Sequence, residues 1–146
     1  MSDQSASNRI YSDAQLSDEV AVAGTPGFTS VTAMNLKTAG ANTFAALPGI
    51  LGQQFIPSHL VVQCKTQNTL TGNTSVSVGT TAAGTDIMGA TALTGLTGVD
   101  MKFSVNLTGL QPAIAGNDAT LDCTITGADS GTSGTADVFL HGYFIE

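Results

Sequence analysis

Apolar residues return at every second position in stretch after stretch of this chain. Leu60, Val62 and Cys64 alternate with polar neighbours, Val76 and Val78 alternate with serine in TSVSVG, and Phe103, Val105 and Leu107 alternate in KFSVNLTG. Leu121, Cys123 and Ile125 do the same in ATLDCTITG. A period of two is the mark of a strand with one buried face. Each run ends in Gly, Asn, Asp or Thr, and the runs are spaced by short turn-forming clusters, so the pattern predicts an all-β sandwich or barrel rather than alternating strands and helices. The seventeen glycines fit this, most of them lying between runs where turns need positive φ.

The last segment, ADVFLHGYFIE, departs from the alternation. Val138, Leu140 and Phe144 share one parity, while Phe139, Tyr143 and Ile145 share the other, so both faces are apolar. A central strand packed on one side by the second sheet reads this way, and its other side is covered either by another subunit or by a loop of the same chain. The first alternative makes Phe139, Tyr143 and Ile145 an oligomer interface. His141 shares their face and has no titrating partner near it in sequence, which fits a packing role better than a pH switch.

Helical signals are weak. TFAALPGILG is interrupted by Pro48, Gly49 and Gly52 and gives at most one helical turn. Residues 1–27 differ in composition from the rest, with Asp3, Asp13, Asp18 and Glu19 early and Thr25-Pro26-Gly27 closing the segment as a turn. This is an N-terminal arm ahead of a sandwich domain at 28–146. Its Ile10, Tyr11, Leu16, Val20 and Val22 give more apolar surface than a solvated tail carries, so the arm is expected to dock on a partner. The stretch VGTTAAGTDIMGATALTGLTG is Ala, Gly and Thr of low complexity, suited to turns and closely packed strands.

Composition narrows the picture. The 146 residues fit one domain, and 42% hydrophobic against 10% charged residues lies on the folded side of the composition that marks disorder. Aromatics are only 5% and Trp is absent, so the core must be Val, Ile, Leu, Ala and Thr. A net charge of −7 argues against a nucleic-acid partner, because such affinity comes largely from cations displacing counterions along the phosphates. The first twenty residues lack the basic and apolar regions of a secretory signal, and no window approaches the ~20 apolar residues of a membrane span, so no membrane partner is expected. A chain made in a reducing cytoplasm keeps Cys64 and Cys123 as thiols, with a disulfide open to them only after release into an oxidising medium.

Candidate chemistry is sparse. GADSGTSG around Ser130, with His59 and Asp86 or Asp100 before it, faintly follows the order of a serine-hydrolase triad, but His59 opens a strand and the glycines suit a hairpin loop. Asn117, Asp118 and Asp122, or Asp129 and Asp137, lack the dense spacing of a calcium loop, and the cysteines have no ligand-spaced neighbours for zinc. No phosphate-binding glycine loop is present. No catalytic residue, metal or cofactor is expected, and both thiols are expected to face the core.

The stretch from Phe55 onward, with IPSHLVVQC leading into TSVSVGTTAAGTDIMGATALTGLTG and ending in ADVFLHGYFIE, resembles small virion proteins of tailed bacteriophages, particularly capsid decoration (cement) and head-fibre proteins. The resemblance implies an antiparallel β-sandwich of jelly-roll type, a homotrimer, and a place on the outer face of an icosahedral head after synthesis in the host cytoplasm. The partners it implies are the major capsid protein and further copies of this chain; the arm lies outside the resemblance, and its own composition makes Ile10, Tyr11, Leu16, Val20 and Val22 the expected capsid contacts. A fibre or adhesion module binding a glycan or receptor is the alternative, although such a site would want more exposed aromatics than two tyrosines and no Trp supply.

Overall fold

The computed structural model describes residues 24–66, 74–93, 95–96, 98–127 and 134–146. Eight strands follow one another: β1 (Thr25–Asn35), β2 (Gly40–Thr43), β3 (Gln54–Cys64), β4 (Ser75–Gly79), β5 (Met88–Ala92), β6 (Lys102–Asn106), β7 (Asp122–Thr126) and β8 (Thr135–Ile145). They form two four-stranded antiparallel sheets, ordered β1-β8-β3-β6 and β2-β7-β4-β5. First pairs with last, second with seventh, third with sixth and fourth with fifth. A chain folded back on itself in this way and rolled into two sheets is the eight-stranded jelly roll.

The alternation read from the sequence is the division between core and surface. Val31, Leu60, Val62, Val138 and Leu140 point inward from the first sheet, and Val76, Val78, Cys123 and Ile125 from the second. Cys64 and Cys123 are both buried and both free thiols, facing the core as expected.

Three local features depart from the sequence reading. Thr25-Pro26-Gly27 is not a turn but the start of β1. Proline is tolerated there because β1 is an edge strand, where a missing N–H costs no ladder bond. No helix occurs among the described residues; TFAALPGILG leaves β2 as irregular chain and ends in a turn at Leu51 and Gly52, closed by the Gln53 N–H on the Ile50 carbonyl. Its backbone finds partners across the fold, Phe44 N–H donating to Leu121 and Leu47 N–H to Ala119, while both side chains enter the core.

The third feature is a bulge in β3, where the register to β8 slips between Pro57 and His59. Before it, Phe55 and Pro57 face inward; after it, Leu60, Val62 and Cys64 do. The bulge therefore places Ile56 and His59, three residues apart, on the same outward face. Close packing beneath it depends on Gly142, which pairs with Pro57 and lies under the Phe55 ring. A Cβ there would stand 2.3 Å from the Ile56 carbonyl oxygen and 2.7 Å from the ring. Phe55 in turn packs on Phe144 at 5.1 Å between ring centroids.

Candidate functional site

The outward face of the first sheet is where the chain's unusual residues converge. β8 runs through its middle and contributes Phe139, His141, Tyr143 and Ile145; β1 adds Phe28, opposite His141; β3 adds Ile56, opposite Tyr143, and His59, opposite His141. Phe28 is 52% exposed, Tyr143 44% and Ile56 41%. Phe139, His141 and Ile145 are half-buried by their neighbours on the sheet. Among the described residues nothing buries Phe28, Ile56 or Tyr143, although the loop through Leu110 lines a cleft beside Ile56.

At its centre the rings of His59 and His141 stack, with centroids 4.6 Å apart and planes within 5° of parallel. Phe28 tilts against the other side of His141 at 5.6 Å, and its edge meets Phe139 at 6.2 Å. The Ser58 hydroxyl donates to the His141 carbonyl at 3.2 Å and lies 3.0 Å from His59 Nδ1, leaving its lone pairs to accept from that nitrogen. His141 therefore does have a titrating neighbour, invisible in sequence because His59 is brought to it by strand pairing. Burial first, and then the adjacent His59, hold the His141 imidazole below its ordinary value.

Among the described residues charge is confined to the margins of the face. Asp137, near the start of β8, accepts the Ala33 N–H at 2.8 Å and pairs with Lys65 at 3.8 Å. Glu146 follows the far end of β8, and Lys102 sits on β6 opposite Gln63. Between these margins lies an uncharged strip of aromatic, aliphatic and imidazole side chains.

Gly24 enters the fold at one margin with φ +92°, and a Cβ on it would come within 3.0 Å of both Tyr143 Cβ and Ile145 Cγ2. The arm residues Ile10, Tyr11, Leu16, Val20 and Val22 lie outside the described residues, as do Ser130 and Asp129. Beside the same margin a cleft of about 300 Å³ opens between Gln54–Ile56 and the loop that carries Leu110 and Gln111.

Elsewhere the potentially reactive side chains lie apart. Asp86 is held by Thr80, and Asp100 accepts from Gln63 at 3.2 Å. Asp122 accepts from the Thr43 hydroxyl at 2.9 Å. Among the described residues no three His, Cys, Asp or Glu side chains gather at metal-binding distance.

Fold and face together define a jelly-roll sandwich with one sheet surface open to contact. No family model and no curated protein matches the chain. A solved structure, the capsid asymmetric unit of cyanophage Pam1, is similar over 82% of this chain and 85% of that one, at 18% identity and a TM-score of 0.47.

Proposed function

We propose that this chain is a structural protein of a virion, a capsid decoration protein that assembles with copies of itself through the outer face of the first sheet. The observation that carries the reading is that face: three strands present Phe28, Ile56 and Tyr143, all exposed, with the half-buried Phe139 and Ile145 around a histidine stack. An exposed apolar patch of this kind marks a contact surface. A second copy suits it because the chain carries a net charge of −7, and this strip, free of charge while its imidazoles are neutral, is where two such molecules approach without like charges meeting. At ~25 cal/mol per Å², covering these side chains contributes on the order of a few kcal/mol per protomer before association entropy is counted.

In this reading the protein is non-enzymatic and sits on the outer capsid surface as a homotrimer. The N-terminal arm, through Ile10, Tyr11, Leu16, Val20 and Val22, contacts the major capsid protein. The resemblance of residues 55–146 to decoration and head-fibre proteins supports the same role. Cryo-electron microscopy of virions that contain the chain tests it. Density of this size repeated across the capsid lattice is the expected result; density only on a fibre or tail overturns decoration in favour of an adhesion module.

A further inference from the structure

We infer that association through the outer face is released by acid, with the stacked His59 and His141 rings as the sensor. The inference rests on the reading of that face as a self-interface and concerns how the contact is regulated.

The geometry sets the stack apart from an ordinary surface histidine pair. His59 and His141 occupy directly opposed positions on adjacent strands, so their rings are held together by backbone register and not by a chance of rotamers. They lie in the middle of the strip, walled by Phe28 and Phe139. Among the described residues no carboxylate faces them. On β1 the outward neighbours are Pro26, Phe28 and Ser30; on β3 they are Ile56, Val61 and Gln63. β6 offers Asn106 and Ser104 beside them and Lys102 further on, and β8 offers Tyr143 and, at its start, Asp137, which is already paired with Lys65. Asp137 and Lys102 are each four residues along their strands from the stack, about 13 Å at the usual rise.

Charging the stack is therefore unfavourable in a specific way. One imidazolium rests against a neutral ring, whereas two place like charges side by side with nothing to neutralise them. A second copy seated on the strip strips water from both rings, which disfavours the protonated forms further. The associated state then binds fewer protons than the separated one, and by linkage acid favours separation. The burial that already holds the His141 imidazole below its ordinary value acts in the same direction.

This sign is diagnostic, because acid has the opposite effect on the molecule as a whole. With pI near 4.3, lowering the pH reduces the net negative charge and weakens the general repulsion between copies. A chain without the sensor, its carboxylates still mostly ionised at about pH 5.5, would hold its association or strengthen it slightly as the pH falls.

Sedimentation equilibrium of the full chain at constant ionic strength, from about pH 8 to about pH 5.5, spans the range in which imidazoles titrate. Wild type is expected to weaken by up to about tenfold per pH unit for each coupled proton, with far-UV circular dichroism unchanged. The His59→Gln, His141→Gln double variant, whatever its affinity at about pH 8, is expected to lose the weakening on acidification. Both side chains face outward, so the fold should tolerate the change. In wild type alone, the imidazole titrations followed by NMR should move to lower pH as protein concentration rises. Association that holds or strengthens on acidification overturns the proposal, as does weakening that persists undiminished in the double variant or titrations independent of concentration. A wild type that is monomeric at about pH 8 defeats the self-interface reading and the switch with it, whereas an oligomer indifferent to pH defeats the switch alone.

Discussion

Cys123 and Gly142 show how tightly single residues are constrained in this sandwich. Burial, and secondarily the charge of Asp122, push the Cys123 thiol up to about 12. In the unfolded chain the same thiol ionises near its ordinary 9.0. Its contribution to stability is thus intact below about pH 9 and lost as the pH rises toward 12. Neither Cys123 nor Cys64, which is also buried and also raised, should react with a small maleimide under native conditions; rapid labelling of both without loss of structure would contradict the inward placement. Gly142 is constrained by space. A methyl at this position meets a backbone carbonyl and the Phe55 ring, neither of which can retreat without moving β3, so Gly142→Ala should destabilise by ~1–3 kcal/mol in urea denaturation. Gly89→Ala is the control, since a Cβ there meets nothing within 4 Å, and it should change stability by no more than about 0.5 kcal/mol.

At the scale of elements, the loop from β4 to β5 is closed by one carboxylate. Thr80 donates to Asp86 through its N–H at 2.9 Å and its hydroxyl at 2.6 Å, the hydroxyl being the main reason the Asp86 carboxyl sits below its ordinary value. Its stabilisation is present above that ordinary value and fades as the pH falls through the lowered one. Asp86→Asn should cost ~0.5–1.5 kcal/mol and flatten that acid dependence, read by thermal melts across pH. Strands β4, β6, β7 and β8, and β3 from Leu60 onward, were legible because their inward residues keep a period of two. β1 was hidden by its own bulge, with Ala33 at φ 53° and the inward residues Val31 and Met34 three apart instead of two. β2 has four residues, none buried, and β5 buries only Met88, so neither carries a pattern. The site was half legible for the same reason. Phe139, Tyr143 and Ile145 stand out within one strand, but Phe28, Ile56 and His59 join them only through pairings that span some 80 to 110 residues of chain. Pro57 was the available clue: a proline inside an apolar run marks a bulge, and shifting the parity there puts Ile56 and His59 on the outward face.

For the molecule as a whole, association should be lost before folding is when the outer face alone is altered. Phe28→Asp with Tyr143→Asp replaces two exposed aromatics of the strip, one on its edge strand and one on its central strand, and the double variant should melt cooperatively near the wild-type temperature while sedimenting as a monomer. If it sediments as wild type does, the face is not the contact. The pairing of first strand with last has a further consequence, which concerns time. β8 is a central strand, flanked by β1, made first, and by β3. During synthesis the first sheet has a gap at its middle until the ribosome has delivered residues 135–145, and β1 meanwhile has no neighbour to pair with. The first sheet therefore closes only once β8 has emerged, and folding should be slow, as expected when strand pairing joins distant parts of a chain. Until then β1 is unpaired and β3 has β6 on one side only, the condition in which strand edges find wrong partners.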